Sequence, residues 1–170
     1  AANTYTGVTQ ISTGVVMLSG SGRLADTTAV TVDSGATFDL NDITDTVGSI
    51  AGAGSITLGS GTLTAGGDAS STTFSGVISE TGGFTKAGAG TLTLTGTNTY
   101  SGNTAIAASG GSLVIGTAGS LGSGTYAGQV TLGASTTFTY SSSASQTLSG
   151  KITGSGALTK DTSSSSKIGR

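Results

Sequence analysis

The side chains with the clearest chemical potential lie close together in one short segment: Asp39, Asn41, Asp42 and Asp45. Carboxylate and amide oxygens are the ligands that Ca²⁺ takes from proteins, so a calcium-binding loop is one interpretation. The spacing does not match an EF-hand, and no repeated Gly-Gly-x-Gly-x-Asp motif accompanies it. Two of these carboxylates could also act as the acid and base of a glycosidase, but such sites lie in clefts with aromatic platforms, and the chain has no Trp. We favour solvated acids in turns.

Two lysines end similar segments, Phe84-Thr85-Lys86 and Leu158-Thr159-Lys160. A lysine activated by burial can act as a nucleophile. A lysine that recurs at one position of a β-rich repeat is more typical of a solubilising charge at a corner, which discourages aggregation. We expect Lys86 and Lys160 to have this second role.

Asn3 and Asn98 each precede a tyrosine by two residues, Tyr5 and Tyr100. We expect both asparagines to lie in equivalent turns, where the amide satisfies backbone groups and the tyrosine packs against a neighbouring layer of the fold. A ligand-binding Asn-Tyr surface is the alternative.

Alternate threonines at Thr91, Thr93 and Thr95 project from one face of a predicted strand. Aligned threonine rows could form a flat ice-binding or mineral-binding face. Threonine is also an ordinary outward-facing strand residue, and that is the interpretation we favour. We therefore assign no catalytic, cofactor-binding or metal-binding residue.

The composition excludes several classes of protein. Among 170 residues there is no His, Cys, Pro or Trp, so Cys/His zinc sites, Ser-His-Asp triads and disulfides are excluded. Six basic residues and a net charge of −2 argue against nucleic-acid binding. No apolar run approaches the ~20 residues that span a bilayer. The first residues lack the pattern of a signal peptide, which would already have been removed from an exported protein.

Apolar residues alternate with polar ones in short runs, which predicts half-buried strands and argues against disorder. The clearest runs are 29–32, 38–40, 55–58, 61–64, 91–95, 112–115 and 129–132. No helical apolar face is sustained, and glycine is frequent, so we expect almost no helix.

Two long-range repeats organise the chain. Asn3-Thr4-Tyr5-Thr6-Gly7 recurs as Asn98-Thr99-Tyr100-Ser101-Gly102. The block at 74–86 recurs at 148–160. We expect one solenoid segment over residues 1–170, made of nearly two long repeats at 1–97 and 98–170.

This pattern favours an all-β fold, a right-handed parallel β-helix of about seven coils with ~20–25 residues each. A β-sandwich is the competing architecture, since alternation suits it equally well.

The runs Leu92-Thr93-Leu94-Thr95-Gly96-Thr97-Asn98-Thr99-Tyr100-Ser101-Gly102, Gly111-Ser112-Leu113-Val114-Ile115-Gly116 and Gly119-Ser120-Leu121-Gly122-Ser123-Gly124 are the most specific stretches of the sequence. The sequence here resembles the passenger-associated transport repeat, also called the autotransporter-associated β-strand repeat. The resemblance implies a β-helical passenger segment of a bacterial type V secreted protein, at or released from the outer surface. In that family the repeat is thought to assist secretion and folding rather than catalysis. Proteins of that family usually carry a membrane β-barrel, and we expect none within this segment.

We therefore expect a secreted, non-enzymatic element for structural or adhesive display, with no cofactor and no insertion of this segment into a membrane. A host or surface glycan or protein is the kind of ligand that such an element would bind. The alternative is a filament subunit that forms a head-to-tail homo-oligomer through its chain ends. Eleven residues separate Lys86 from Asn98, and twelve separate Lys160 from Asn3 when the tail is joined to the head. A fragment of a longer array explains the same spacing.

Overall fold

The computed structural model describes residues 3–5, 7–109, 111–161 and 164–168. These residues form short strands of two to four residues, and their one helix is a 3₁₀ turn at Gly122–Gly124. The strands are β1 (Thr9–Ile11), β2 (Val15–Met17), β3 (Ala29–Val32), β4 (Thr37–Asp39), β5 (Asp45–Val47), β6 (Ser49–Gly52), β7 (Ser55–Thr57), β8 (Thr62–Ala65), β9 (Thr72–Phe74), β10 (Val77–Ser79), β11 (Gly83–Lys86), β12 (Thr91–Leu94), β13 (Thr104–Ile106), β14 (Ser112–Ile115), β15 (Thr125–Tyr126), β16 (Val130–Leu132), β17 (Thr137–Tyr140), β18 (Gln146–Leu148), β19 (Ile152–Gly154), β20 (Ala157–Lys160) and β21 (Ser166–Ile168).

The chain winds through three faces in turn, and every strand pair between successive coils is parallel. The first face is an eight-stranded sheet, the long sheet, with the order β1-β3-β6-β9-β12-β14-β17-β20. The second is a split face made of β2-β4-β7-β10 and β15-β18-β21, and the third is a six-stranded sheet, β5-β8-β11-β13-β16-β19. This topology confirms the β-solenoid of about seven coils, and it contradicts the sandwich alternative, whose sheets are antiparallel.

Each strand turns every second residue inward, as the alternation predicts. In the long sheet Leu92, Leu113 and Phe138 lie in register, and all three are buried. On the split face Phe38, Ile56 and Ile78 form a similar row. Stacked apolar rows from all three faces join in one continuous core. Burial of these rows is the main force that holds the coils together.

A row of glycines at one corner allows the coils to approach closely. Its members stand at nearly the same place in successive coils: Gly61, Gly82, Gly102, Gly128 and Gly150. A Cβ on any of the last four would lie within 3.0 Å of the carbonyl oxygen of the glycine before it in the row. The corner therefore admits no side chain, because backbone from the adjacent coil fills that space.

The long-range repeats do not stand above one another. Thr9, in the first copy of the Asn-Tyr repeat, lies in β1 of the long sheet, but its counterpart Thr104 lies in β13 of the six-stranded sheet. Val30 is paired with Ile50, and Leu113 with Phe138, so one coil takes 20 to 25 residues along the long sheet. The repeat offset is thus not a whole number of coils. The division at 97 and 98 stays a prediction.

Candidate functional surface

The acids of the 39–45 segment bind backbone amides individually. The Oδ1 atom of Asp39 accepts the amide of Asn41 at 2.8 Å, and the Oδ1 atom of Asp42 accepts that of Ser60 at 2.7 Å. The Asn41 side-chain amide donates to the carbonyl of Leu18 at 3.1 Å. Among the described residues no three His, Cys, Asp or Glu side chains come together to hold a metal ion. Asn41 and Asp42 therefore connect neighbouring coils, whereas Asp39 binds within its own turn.

Asp45 differs from the other acids because it is buried. It is the first residue of β5, and its Oδ2 atom accepts the amide of Leu24 at 3.1 Å. Burial raises the pKa of this carboxyl group, and the backbone hydrogen bonds and the Arg23 guanidinium oppose that rise. For Asp45, the expectation of a solvated acid was wrong. Through this hydrogen bond the carboxylate connects the first and second coils.

Lys86 is also buried, so the expectation of a solubilising corner charge was wrong for this residue. It is 1% exposed and points inward from β11. Its ammonium group donates to the carbonyls of Ala87 and Gly88 at 2.5 and 2.8 Å. Burial lowers the pKa of Lys86, and the field of Asp68 raises it. The alternating pattern of the sequence could have predicted this burial, because Lys86 follows the inward-facing Phe84 by two residues and side chains two apart in a strand point the same way.

Lys160, the sequence counterpart of Lys86, lies on a different face. It belongs to β20 of the long sheet, where all four residues of the strand are exposed. Its Nζ atom lies 5.7 Å from the ring centroid of Tyr140, within the range of a cation–π contact. The two lysines therefore occupy different environments despite their similar sequences.

The Asn-Tyr motif has the same local geometry in both copies. Asn98 donates its backbone amide and its Nδ2 atom to the carbonyl of Ser120, at 2.9 and 3.3 Å. Asn3 makes the same pair of bonds to the carbonyl of Arg23, at 2.9 and 2.8 Å. The prediction that each amide satisfies backbone groups is confirmed, but the turns are not equivalent, because the strands that follow them, β1 and β13, belong to different faces. Asn98 also accepts the amide of Ile78 at 3.0 Å, so it connects three successive coils.

Tyr100 is buried and packs against its neighbours in the adjacent coils, as predicted, whereas its counterpart Tyr5 is exposed. Its ring centroid lies 6.4 Å from that of Phe84 and 5.6 Å from that of Tyr126. The hydroxyl of Thr104 lies 2.7 Å from both tyrosine hydroxyls, and the Tyr126 hydroxyl also donates to the carbonyl of Gly102. Burial raises the pKa of both tyrosines, that of Tyr126 to about 12. These groups form an internal network and do not reach the surface.

The sequence analysis missed Gln146, which is 2% exposed. Its side-chain amide donates to the carbonyl of Leu121 at 3.0 Å and accepts the amide of the same residue at 2.8 Å. The side chain thus pairs with Leu121 as a neighbouring strand would, beside the 3₁₀ turn. Its position two residues before the inward-facing Leu148 was the available signal.

Two outward threonine rows are the most regular features of the surface. On the six-stranded sheet the aligned outward residues are Thr46, Thr64, Thr85, Ala105, Thr131 and Thr153. On the long sheet the corresponding row is Thr73, Thr93, Val114, Thr139 and Thr159. Strand spacing places successive members ~4.8 Å apart. Each row thus presents hydroxyl and methyl groups along one face of the solenoid.

The described surface contains no cavity. No helix in the described part of the chain has the length and apolar character needed to cross a bilayer.

Comparison with known proteins identifies two parts of the chain. Residues 1–18 and 84–115 match the family model described as passenger-associated-transport-repeat. A relative, the adhesin BmaC autotransporter of Brucella suis biovar 1 (strain 1330), is 42% identical over 89 residues, which is 52% of this chain. The chain spans 2% of the length of that relative. No solved structure matches. Each matched segment includes one copy of the Asn-Tyr motif, and in these two segments the chain is similar to the passenger-associated transport repeat.

Proposed function

We propose that this chain is a non-enzymatic segment of an autotransporter passenger, displayed outside the cell as an extended adhesive scaffold. The single observation that carries this proposal is the continuous three-faced solenoid in a chain whose repeats are those of an autotransporter passenger. A solenoid of this kind keeps its side surfaces regular over its whole length, which suits repeated weak contacts with a partner surface. The likeness to a protein described as an adhesin supports the adhesive role.

The proposed contact surface consists of the two outward threonine rows. Threonine rows present many hydroxyl groups with little charge, which suits polar partners such as glycans or protein loops. Acids such as Asp42 and Asp45 support the non-enzymatic part of the proposal, because their carboxylates are already bound to backbone amides of neighbouring coils.

The test measures adhesion of beads coated with the chain to cultured epithelial cells and to purified extracellular-matrix proteins. One variant carries Thr85→Asp with Thr131→Asp on the six-stranded sheet. A second variant carries Thr93→Asp with Thr139→Asp on the long sheet, in the other row of the proposed surface. Circular dichroism verifies that both variants fold. Beads coated with the chain should adhere more than albumin-coated beads, and one of the two variants should lose this adhesion. That result supports the proposal, and the variant that loses adhesion identifies the face that makes the contact. Adhesion equal to that of albumin-coated beads contradicts it.

The second candidate function is a filament subunit formed by head-to-tail stacking. The observation that favours it is the exposure of inward-facing apolar side chains on the two outermost coils: Val16 at one end, in register with Phe38, and Leu158 and Ile168 at the other, in register with Phe138 and Leu148. A parallel coil placed on either end would cover these groups and pair the free strand edges. Either the same polypeptide or a second copy can supply such a coil.

Negative-stain imaging and light scattering over a concentration series test this candidate. Unbranched fibres with a repeat of ~35 Å, the rise of about seven coils, would support stacking of copies. A monodisperse species of constant mass at every concentration would contradict it. This outcome leaves the adhesive scaffold untouched, because bead adhesion does not require stacking.

A further inference from the structure

The proposed function leaves Lys86 unexplained. It is the one basic side chain in the inward rows of the six-stranded sheet, where Ala65 and Ile106 are its partners in register. Its ammonium group binds the carbonyls of Ala87 and Gly88, the next two residues of the chain. Removing a charged group from water into an apolar row costs several kcal/mol unless neighbouring groups form hydrogen bonds or ion pairs with it. The groups that surround the Lys86 ammonium therefore determine whether it can be buried.

Neighbouring coils supply the space for this ammonium group. A Cβ on Gly66, from the coil before, would lie 2.9 Å from the Nζ atom of Lys86. A Cβ on Gly111, from the coil after, would lie 3.1 Å from the same atom. Asp68, in the turn after Gly66, adds a field that favours the charged form of Lys86. The accommodation of Lys86 therefore depends on residues that belong to other coils.

The alternating pattern alone does not define how the strands align. Because side chains alternate with a period of two, a shift of one strand by two residues keeps apolar side chains inward and threonines outward. If β11 shifted in this way, the carbonyls of Ala87 and Gly88 would move together with Lys86, because they belong to the same segment. Gly66 and Gly111 belong to other coils and would stay in place. Lys86 would then face Leu63 and Thr104, the inward residues two positions earlier in β8 and β13.

We propose that Lys86 fixes the alignment of β11 on β8 and β13, because only the native alignment places its ammonium group in the space left by Gly66 and Gly111. Lys86 thus sets the register of β11. Its burial raises the free energy of misaligned states more than that of the native state. Buried polar groups that select one register are the best-attested use of such groups.

Engineered cysteines can test the alignment, since the chain has no Cys of its own. Thr85 faces outward opposite Ala105, so Thr85→Cys with Ala105→Cys reports the native alignment. Thr85→Cys with Asn103→Cys reports the shift of two residues that would place Lys86 opposite Thr104. Residues diagonal to each other across two strands lie ~7–8 Å apart, beyond ordinary disulfide geometry. Both pairs are oxidised during refolding from urea, and mass spectrometry of the entire mixture, including any precipitate, quantifies each disulfide.

We expect Lys86→Met to lower the ratio of native to shifted cross-link by about tenfold or more, because the penalty on misaligned states disappears. Ile106→Met, in the same row, and Lys160→Met, at an exposed lysine, are the matched controls and should leave the ratio unchanged. A ratio that is unchanged in Lys86→Met overturns the proposal, whether or not the variant loses stability. Equal loss of both cross-links also overturns it, since that result indicates a general structural role. Because precipitate is included, a variant that folds poorly still gives a decisive ratio.

Discussion

Replacing Asn98 by alanine should destabilise the solenoid far more than the same change at Asn3. Asn98 is fully buried, and its side chain accepts the amide of Ile78 and donates to the carbonyls of Gly96 and Ser120. Asn3 has the same local geometry but is exposed. The chain therefore contains its own matched control for the motif.

The magnitude follows from the partners that lose their hydrogen bonds. The carbonyl of Gly96 keeps a bond from the amide of Ser120, and the carbonyl of Ser120 keeps one from the amide of Asn98. The amide of Ile78 loses the bond from the Asn98 Oδ1 atom. A buried donor left unsatisfied costs about 1–3 kcal/mol, and each of the other two bonds adds about 0.5–1 kcal/mol. We expect Asn98→Ala to lower the free energy of unfolding by about 2–5 kcal/mol, and Asn3→Ala by less than about 1 kcal/mol.

Urea unfolding monitored by far-ultraviolet circular dichroism measures both free energies. The slope of the transition is compared between variants, because repeat proteins can lose cooperativity and the comparison requires a common two-state transition. Equal losses for Asn98→Ala and Asn3→Ala would refute the reasoning, since burial of the amide would then make no difference. A loss below about 1 kcal/mol for Asn98→Ala would refute it as well.

Three further predictions concern the corner glycines and the two buried charges. Gly82→Ala should cost about 1–3 kcal/mol or more in urea unfolding, because its Cβ would strike the carbonyl of Gly61, whereas Gly67→Ala, which meets nothing within 4 Å, should be nearly neutral. The folded pKa of Asp45 is raised above 3.8, so its contribution to stability falls as pH rises from the unfolded pKa through the folded one. Asp45→Asn should therefore gain stability relative to wild type across that acidic window, and equal pH profiles would contradict this. The folded pKa of Lys86 is lowered below 10.5, so wild-type stability should rise with pH between the folded pKa and 10.5, and Lys86→Met should abolish that rise.

Local alternation predicted the strands well because each strand has one face toward the core and one toward solvent. The predicted run 29–32 is β3, and the run 112–115 is β14. The remaining predicted runs coincide with strands to within one residue. The same rule, applied through the end of each strand, would also have placed Lys86 and Gln146 inside. Polar side chains are usually expected at the surface. In the structure both side chains are buried and form hydrogen bonds with backbone carbonyls.

The sequence could not indicate how the acids of the 39–45 segment are used. Asp42 and Asp45 are only three residues apart, but they bind Ser60 in the following coil and Leu24 in the preceding one. Proximity along the chain therefore did not produce a shared site. The partners are set by stacking, which joins residues about one coil apart.

The sequence by itself determined the class of fold and the likeness of two segments to the passenger-associated transport repeat, because short alternating strands, small turns and repeat motifs are local properties. The tertiary structure alone decided which face each segment occupies. The coil that runs from Leu113 to Phe138 is longer than its neighbours, and the Asn-Tyr repeat recurs on a different face. All three faces accept the same pattern of alternating side chains, so the pattern cannot tell them apart. Contacts between coils, such as those of Asn98, Gln146 and the corner glycines, make that choice.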